Sequence, residues 1–293
     1  MAEIRALAEQ KQALILAHSY QNPEIYAVAD YLGDSFELAK IGLQAKAKII
    51  IFCGVRFMAE AVKILSPEKK VILPDSTAGC PLADSWPVRK LIALKKAYPR
   101  AVVVCYINSS TAVKAASKAV CTSANAVQIV KDLPQQEIIF GPDQNLGWQI
   151  RKQVPEKKIY LFPGECPVHA GITPVRVKRS RQQFPNAKVL AHGECLPAVQ
   201  KLADKVCGTA GMLSFAQKSC AQEFIIATET NMVERLQREV PGKKFYPIGE
   251  KCCEMQKTTL TKVYQALKTE TPVLTIPKGL VRNARRSLAV MNF

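Results

Sequence analysis

The stretch Ala13-Leu-Ile-Leu-Ala-His-Ser-Tyr20 decides the fold, because an apolar run that ends in polar residues occurs twice more in the chain. The second copy is Ala101-Val-Val-Val-Cys-Tyr-Ile-Asn108, and the third is Ala187-Lys-Val-Leu-Ala-His-Gly-Glu194. Recurrence at a nearly constant interval is typical of an internal repeat, and a repeat determines the whole architecture.

Five landmarks recur along the three copies, four of them at intervals of 88 and 86 residues and the cysteines at intervals of 86 and 86. They are a residue after the first apolar run, a hydroxyl that opens a helix-like stretch, the start of a strand-like run, the phrase Pro-x-Lys-Lys-apolar, and a cysteine. In the same order, the residues of the three copies are His18, Tyr106 and His192; Ser35, Ser123 and Thr209; Ile49, Glu137 and Glu223; Pro67, Pro155 and Pro241; and Cys80, Cys166 and Cys252. Their agreement predicts three copies of one unit.

Within each unit, β-branched runs alternate with helical stretches, such as Phe57 to Leu65 and Val113 to Ala119. This alternation predicts the α/β class, with parallel sheets and helices on both faces. We predict three pseudo-threefold-related αβα repeats over 1–86, 87–171 and 172–256, with a C-terminal extension, 257–293, that packs on the first repeat. Because ligands in such sheets lie beyond the carboxyl ends of the strands, the three polar clusters should meet around one central cavity.

The composition is that of an ordinary globular protein, with 48% hydrophobic and 22% charged residues among 293. No signal-like apolar run begins the chain, and the longest apolar stretch is too short for a membrane span, so we expect a cytoplasmic protein without a membrane partner. The net charge of +17 favours anionic substrates or a Lys-rich solvated surface. The basic residues do not cluster among aromatic residues, so no nucleic-acid partner is expected.

Ten cysteines in a chain without a signal peptide indicate metal binding or catalysis rather than disulfides. Thiolates are the usual ligands of iron–sulfur clusters, and three of them leave one iron of a four-iron cluster open as a Lewis acid. We predict that Cys80, Cys166 and Cys252 are these ligands, the interval of 86 residues selecting Cys252 over its neighbour Cys253. Three cysteines that lack equivalents are expected to be small buried hydrophobic residues, namely Cys53, Cys105 and Cys220.

The three hydroxyl residues Ser35, Ser123 and Thr209 are typical helix N-caps. Brought together, they could equally hold carboxylates or phosphate, because a helix N-terminus binds anions. Acid, base and hydrogen-bonding groups are expected at the strand ends, namely His18, Tyr20, Tyr106, Asn108, His192 and Glu194. His169, three residues after Cys166, is predicted to support that ligand without binding metal.

Several longer phrases resemble quinolinate synthase over nearly the whole chain. They are His18-Ser-Tyr-Gln21, Ala29-Asp-Tyr-Leu-Gly-Asp-Ser35, Phe52-Cys-Gly-Val-Arg-Phe-Met-Ala-Glu60, Pro74-Asp75 with Ala78-Gly-Cys80, Tyr106-Ile-Asn108, Cys121-Thr-Ser-Ala-Asn125, Pro163-Gly-Glu-Cys-Pro-Val-His169, and Cys252-Cys-Glu-Met255 with Thr259-Leu260. The resemblance implies a cytoplasmic enzyme of de novo NAD biosynthesis that condenses iminoaspartate with dihydroxyacetone phosphate to quinolinate, with loss of phosphate and water.

The resemblance also implies a role for each site residue. Cys80, Cys166 and Cys252 would hold a [4Fe-4S] cluster whose fourth iron binds substrate. The implied substrate-binding residues are His18, Ser35, Asn108, Ser123 and Thr209. The implied proton-transfer residues are Tyr20, Tyr106, His192 and Glu194. L-aspartate oxidase or dehydrogenase, as supplier of iminoaspartate, is an implied partner.

Two departures from the family pattern stand beside these phrases. The family usually has His-Pro-Glu where this chain has His192-Gly193-Glu194, which predicts a looser loop. It usually has Gly-Ser-Thr where this chain has Cys207-Gly208-Thr209, which removes one anion-binding hydroxyl and predicts weaker phosphate or carboxylate binding.

Two alternative functions stay open, and the first shares the plan of three repeats and three cysteines. One is a diphthamide-forming enzyme that cleaves S-adenosylmethionine, against which the small-molecule motifs argue. The other is a cluster-based redox sensor, whose DNA affinity would depend strongly on salt.

Overall fold

The three predicted units contain the same succession of elements, in which helices come before, between and after four strands. This computed structural model describes residues 1–292, so that Phe293, the last residue of the predicted extension, lies outside the described residues. The first unit comprises α1 (Ala2–Gln10), β1 (Ala13–His18), α2 (Pro23–Tyr26), β2 (Tyr31–Gly33), α3 (Ser35–Gln44), β3 (Ile49–Cys53), α4 (Arg56–Leu65), β4 (Lys70–Ile72) and α5 (Pro81–Ser85).

The second and third units repeat this order. The second comprises α6 (Val88–Ala97), β5 (Val102–Tyr106), α7 (Thr111–Ala116), β6 (Ala119–Cys121), α8 (Ala126–Asp132), β7 (Glu137–Gly141), α9 (Gln144–Gln153), β8 (Lys158–Leu161) and α10 (Pro167–Ala170). The third comprises α11 (Pro174–Gln183), β9 (Lys188–Ala191), α12 (Pro197–Gln200), β10 (Lys205–Val206), α13 (Thr209–Lys218), β11 (Glu223–Ala227), α14 (Met232–Glu239), β12 (Lys244–Pro247) and α15 (Cys253–Gln256). Two further helices follow, α16 (Leu260–Thr269) and α17 (Lys278–Ala289).

Each unit forms one four-stranded parallel sheet with the same strand order, β2-β1-β3-β4, β6-β5-β7-β8 and β10-β9-β11-β12. The two central strands of each sheet are almost completely buried, as expected for parallel strands that are covered on both faces. Near-continuous runs of Val, Ile, Leu and Phe therefore form them rather than alternating patterns. The predicted α/β class with three αβα repeats is confirmed.

The recurring phrase Pro-x-Lys-Lys-apolar ends one helix and caps another. α4, α9 and α14 all end two residues before its proline, because the residue in between is held out of the helical region by the proline that follows it. The first lysine of the phrase is Lys69, Lys157 or Lys243, and its ammonium group donates to carbonyl oxygens at the C-terminal end of α3, α8 or α13. These carbonyls have no partner within their own helix, so the repeated lysine satisfies them.

Two predictions about individual residues are wrong. The helix predicted from Val113 to Ala119 ends at Ala116, because Ser117 is extended and the Lys118 N–H bonds to Val103 on β5, which begins the next strand. Cys220 is exposed in the loop before β11, whereas Cys53 and Cys105 are fully buried as predicted.

The C-terminal extension contacts two repeats. α16 packs on α1 and β3, with Val263, Ala266 and Leu267 in the apolar cluster that covers one face of the first sheet. α17 packs mainly on α7 and also on α4 and β6. The Ser287 hydroxyl of α17 donates to the Lys114 carbonyl, which fixes this helix against the second repeat. Among residues 1–292, no helix is both long enough and apolar enough to cross a membrane.

The repeated lysine cap gives a test of the fold. We expect Lys157→Met to lower the free energy of unfolding by about 2 to 3 kcal/mol, because it leaves the buried carbonyl of Val130 and the partly buried carbonyls of Lys131 and Leu133 without their charged donor. Denaturant unfolding monitored by circular dichroism measures this change. Lys158→Met, at the exposed neighbouring position, is the control and should lower stability much less. Equal losses for the two variants would contradict the capping role.

Candidate active site

All twelve residues that the sequence predicts for the site line one cavity at the carboxyl ends of the strands. They are His18, Tyr20, Ser35, Cys80, Tyr106, Asn108, Ser123, Cys166, His192, Glu194, Thr209 and Cys252. All three repeats contribute to the wall. Parallel strands deliver their C-terminal residues to the same edge, which is why residues so distant in sequence meet.

Two positions per repeat supply the acid, base and hydrogen-bonding groups. The first is His18, Tyr106 or His192, and the second, two residues later, is Tyr20, Asn108 or Glu194. In the two histidine-containing copies, the ring Nδ1 accepts the backbone N–H two residues on, at 3.2 Å in each case. A neutral histidine held in this way carries its proton on Nε2. The Nε2 atom of His192 lies 3.4 Å from the Ser123 hydroxyl.

The Glu194 carboxylate is the most heavily hydrogen-bonded group of the cavity. Its Oε1 accepts the Tyr106 hydroxyl at 2.6 Å and the Asn108 amide at 3.4 Å, and its Oε2 lies 3.1 Å from Nδ1 of His169. Burial alone would raise the pKa of Glu194, but His169, His192 and the Tyr106 hydroxyl together hold it well below its ordinary value. Glu194 is therefore a carboxylate at neutral pH.

A chain of hydrogen bonds connects Glu194 with Tyr20 through residues that the sequence did not assign to catalysis. The Tyr20 hydroxyl lies 2.6 Å from Thr228 Oγ1, which lies 2.8 Å from Nε2 of His169. In the neutral tautomer that carries its proton on Nδ1, His169 donates to Glu194 and its Nε2 accepts the Thr228 hydroxyl. All donors then point one way, from Tyr20 through Thr228 and His169 to Glu194. A proton can move along this chain.

Burial sets the protonation of the remaining groups. It lowers the pKa of His18 to about 3, helped by Arg235 and His192, and that of His192 to about 4. It also raises the pKa of Tyr20 and Tyr106 well above the ordinary value. His18, His192, Tyr20 and Tyr106 are therefore neutral at pH 7, beside the Glu194 carboxylate.

The three predicted ligand cysteines directly precede three short helices, α5, α10 and α15. Burial raises the pKa of Cys80 to about 12 and that of Cys166 and Cys252 above the ordinary value, while backbone N–H groups in the following turn oppose the shift. Cys80 raises the pKa of Cys166, and Cys252 raises that of Cys80, so the thiols are close enough to interact. Cys253 is exposed but also reaches the cavity.

A mixed set of metal-ligand atoms lies beside them. The donor atoms of Cys166, His169 and Glu194 are all within 4.8 Å of one another. Nδ1 of His169 is 3.2 Å from the Cys166 sulfur as well as 3.1 Å from Glu194. Because both ring nitrogens of His169 already have partners, we interpret this group as a hydrogen-bonded support of Cys166.

The prediction that Ser35, Ser123 and Thr209 are N-caps is wrong. The cap of α3 is Asp34, whose carboxylate accepts the N–H groups of Phe36 and Glu37, so Ser35 is already the first helical residue. Thr209 likewise follows the cap Gly208, and Ser123 lies two residues before the cap of α8, Asn125. Because these hydroxyls are not engaged in capping, they are available to the cavity.

The two glycine departures have structural consequences. A Cβ atom at Gly208 would lie only 2.6 Å from the Ser123 hydroxyl oxygen, so this glycine leaves room for that hydroxyl. The loop that contains Gly193 is restrained by the buried Gln200 amide, which donates to the carbonyls of Gly193 and Cys195. Glycine therefore does not leave the Glu194 loop without hydrogen bonds.

The large positive charge of the chain is not found at the cavity. Among the described residues that line it, there is neither lysine nor arginine. Two buried cations lie behind its wall: Arg235, which bonds to the Ser19 hydroxyl and forms an ion pair with Glu239, and Lys114, which donates to the Phe57 carbonyl. An anion in the cavity would be held by hydroxyls, amides, imidazoles and backbone N–H groups rather than by charged side chains.

The sequence did not point to Thr228, Asp143 or Glu229. Thr228 and Glu229 directly follow β11, and Asp143 follows β7 by two residues. Their position just after a strand was the one feature of the sequence that could have indicated a place near the cavity. Thr228 lies 86 residues after Pro142, and its repeat equivalents are not polar. A search for repeated residue types therefore could not find it.

Comparison with known proteins gives one consistent result. The family model described as "Quinolinate synthetase A protein" matches residues 2–292. Proteins named quinolinate synthase from Caldicellulosiruptor bescii, Alkaliphilus metalliredigens and Methanoregula boonei are 47%, 45% and 43% identical to this chain over 291 residues. Each alignment covers 99% of this chain and 96% of the relative.

The histidine protonation states can be tested by NMR, because the chain has only three histidines. In histidine-labelled protein prepared without iron, we expect the His18 and His192 signals not to titrate between pH 7 and 5. Their unfolded pKa is 6.5, so in this range the unfolded state binds more protons and stability falls as pH falls toward 4. His192→Gln should reduce the loss of stability between pH 7 and 5. Titration of both rings near 6.5 would contradict the burial argument.

Proposed function

The chain belongs to the quinolinate synthetase A family, and on that premise we propose that it is a quinolinate synthase of NAD biosynthesis. The proposed reaction condenses iminoaspartate with dihydroxyacetone phosphate to quinolinate, with loss of phosphate and water. The observation that carries the proposal is one cavity lined by three equivalent cysteines and by a carboxylate with a directed hydrogen-bond chain. Relatives named quinolinate synthase align over almost the entire chain.

The three cysteines fit an iron–sulfur cluster. Their donors are all sulfur, they occupy equivalent repeat positions, and backbone N–H groups beside each of them favour the thiolate. We propose that Cys80, Cys166 and Cys252 hold a [4Fe-4S] cluster. When bound, the cluster supplies an iron without a protein ligand, which serves as a Lewis acid toward a substrate carboxylate.

Substrate binding would rely on uncharged donors. The hydroxyls of Ser35, Ser123 and Thr209, the His18 imidazole and the Asn108 amide reach the cavity from all three repeats. α13 also begins at the cavity and has no side-chain cap, so its first backbone N–H groups can donate to carboxylate or phosphate. Uncharged donors hold these groups without neutralising Glu194, which is then free to act as a base.

Proton transfer would use the chain that starts at Tyr20. A proton taken from substrate by the Tyr20 oxygen displaces the Tyr20 proton to Thr228, then to His169, and finally to Glu194. Tyr20 starts and ends as a neutral hydroxyl, consistent with its raised pKa. The reverse shift returns the proton to a leaving hydroxide. Tyr106 and His192 hold Glu194 and Ser123 in place.

Iminoaspartate has to be made by oxidation of aspartate, so we propose an L-aspartate oxidase or dehydrogenase as functional partner. The partner supplies the substrate, and no contact surface for it is assigned.

The reaction is tested by incubating the anaerobically reconstituted protein with iminoaspartate and dihydroxyacetone phosphate and measuring quinolinate. We expect Glu194→Gln to bind the cluster but to lower turnover by about 10² to 10⁴-fold, the usual contribution of a general base. Thr228→Val, which interrupts the chain, should also lower turnover. Glu165→Gln, exposed and adjacent to Cys166, is the control. No quinolinate from the wild-type protein, or cleavage of S-adenosylmethionine instead, would overturn the proposed function.

The ligand assignment is tested separately. We expect Cys80→Ser, Cys166→Ser or Cys252→Ser to abolish stable cluster binding, because each removes one of three sulfur ligands. Cys53→Ser and Cys253→Ser should keep it. Iron and sulfide analysis after anaerobic reconstitution gives the answer. If Cys253→Ser lost the cluster while Cys252→Ser retained it, the third ligand would be Cys253.

A further inference from the structure

Two fully buried carboxyl side chains, Asp143 and Glu229, lie behind the cysteine loops, and the proposed reaction assigns them no part. They occupy equivalent positions, 86 residues apart. The equivalent residue of the first repeat, 88 residues before Asp143, is Val55. The cavity is thus surrounded by three similar loops, of which only two have an acid behind them.

Each acid connects its own loop with the neighbouring cysteine loop. Asp143 accepts the Leu146 N–H at 2.8 Å through Oδ1 and the Cys166 N–H at 3.2 Å through Oδ2. Glu229 accepts the Asn231 N–H at 2.7 Å through Oε2 and the Cys252 N–H at 3.0 Å through Oε1. In both repeats, one oxygen fixes the acid and the other holds the backbone N–H of a predicted ligand.

The carboxyl groups are not needed to bring the loops together. In every repeat, a backbone N–H after the third strand donates to the carbonyl two residues before the cysteine. These bonds are Arg56 to Ala78 at 2.9 Å, Gln144 to Gly164 at 2.8 Å and Thr230 to Glu250 at 3.3 Å. In the second and third repeats, Asp143 and Glu229 add a further contact to this shared backbone contact. The added contact is made to the backbone N–H of the cysteine itself.

The backbone angle φ of the three cysteines differs according to whether the cysteine N–H is held by an acid. Cys166 and Cys252, whose N–H groups are held, have the same φ of −77°. Cys80 has a φ of −150°, and no partner of its N–H is found within residues 1–292. Its loop is held instead at Gly79, whose N–H donates to Glu254 of the third repeat at 2.7 Å. The angle φ describes rotation about the N–Cα bond, which turns the side chain relative to the N–H group. An acceptor that holds the N–H therefore limits the directions in which the side chain can point.

We propose that Asp143 and Glu229 are positioning residues that hold Cys166 and Cys252 in the orientation needed to bind the cluster. The proposal rests on the proposed three-cysteine cluster and adds the outer contacts that orient two of its ligands. Outer partners of metal ligands typically change metal affinity by about 10- to 100-fold. The carboxyl group accepts two N–H groups, whereas a carboxamide has only one acceptor oxygen, so a carboxamide should replace the carboxyl group in part.

The test compares Asp143→Val and Glu229→Leu, which imitate Val55, with Asp143→Asn and Glu229→Gln, which keep an acceptor oxygen. All are reconstituted anaerobically as full-length protein, and loss of cluster absorbance to an excess of an iron chelator is followed. We expect the apolar variants to release iron about 10- to 100-fold faster than wild type. The carboxamide variants, which keep one of the two acceptor oxygens, should release it more slowly than the apolar variants. Circular dichroism and thermal unfolding of the iron-free variants report separately on folding.

The outcomes separate the two proposals. If the wild-type protein assembles no four-iron cluster, the proposed function fails and the positioning role fails with it. If the wild type holds the cluster and the apolar variants release iron at the same rate, only the positioning role is overturned. Should Asp143→Val fail to fold because α9 loses its cap, Glu229→Leu still decides. Release from the carboxamide variants as fast as from the apolar variants would also overturn the role of an acceptor oxygen.

Discussion

The direction of the strands is the constraint on which the site depends. In a parallel sheet, every strand ends at the same edge, so the residues that follow the strands form one polar surface. Here three such sheets, each with the same strand order, contribute their edges to one cavity. The buried aliphatic strands and the lysine-capped helices position these edges, and the residues in the edges provide the chemistry.

The scaffold is repeated, but the chemistry is not. The two strand-end positions hold His18 and Tyr20, then Tyr106 and Asn108, then His192 and Glu194. Only the third repeat supplies a carboxylate, and its neighbours from the second repeat donate to it. The same asymmetry reappears behind the cysteines, where Asp143 and Glu229 have only Val55 as counterpart. Divergence of equivalent positions has thus given one cavity several distinct functions.

Desolvation governs the electrostatics of this cavity. The chain has a net charge of +17, yet no lysine or arginine belongs to the described lining. Burial keeps His18 and His192 neutral, and the neighbouring His169 together with hydrogen bonds keeps Glu194 ionised. An excess of basic residues in a composition therefore says little about the binding site, because exposed cations are screened and can lie anywhere on the surface.

The sequence by itself determined the repeat, the α/β class and the set of residues at the strand ends, because these follow from spacing and apolar pattern. Spacing and apolar pattern are found within short stretches of the sequence or in their repetition, so they can be recognised without knowing which residues are in contact. Tertiary structure alone decided that Asp34, rather than Ser35, caps α3, and that Thr228 links His169 to Tyr20. It also decided the protonation of His18 and His192 and the partners of the Cys166 and Cys252 N–H groups. These properties depend on burial and on distances of a few ångströms between residues far apart in the chain, which no spacing along the sequence contains.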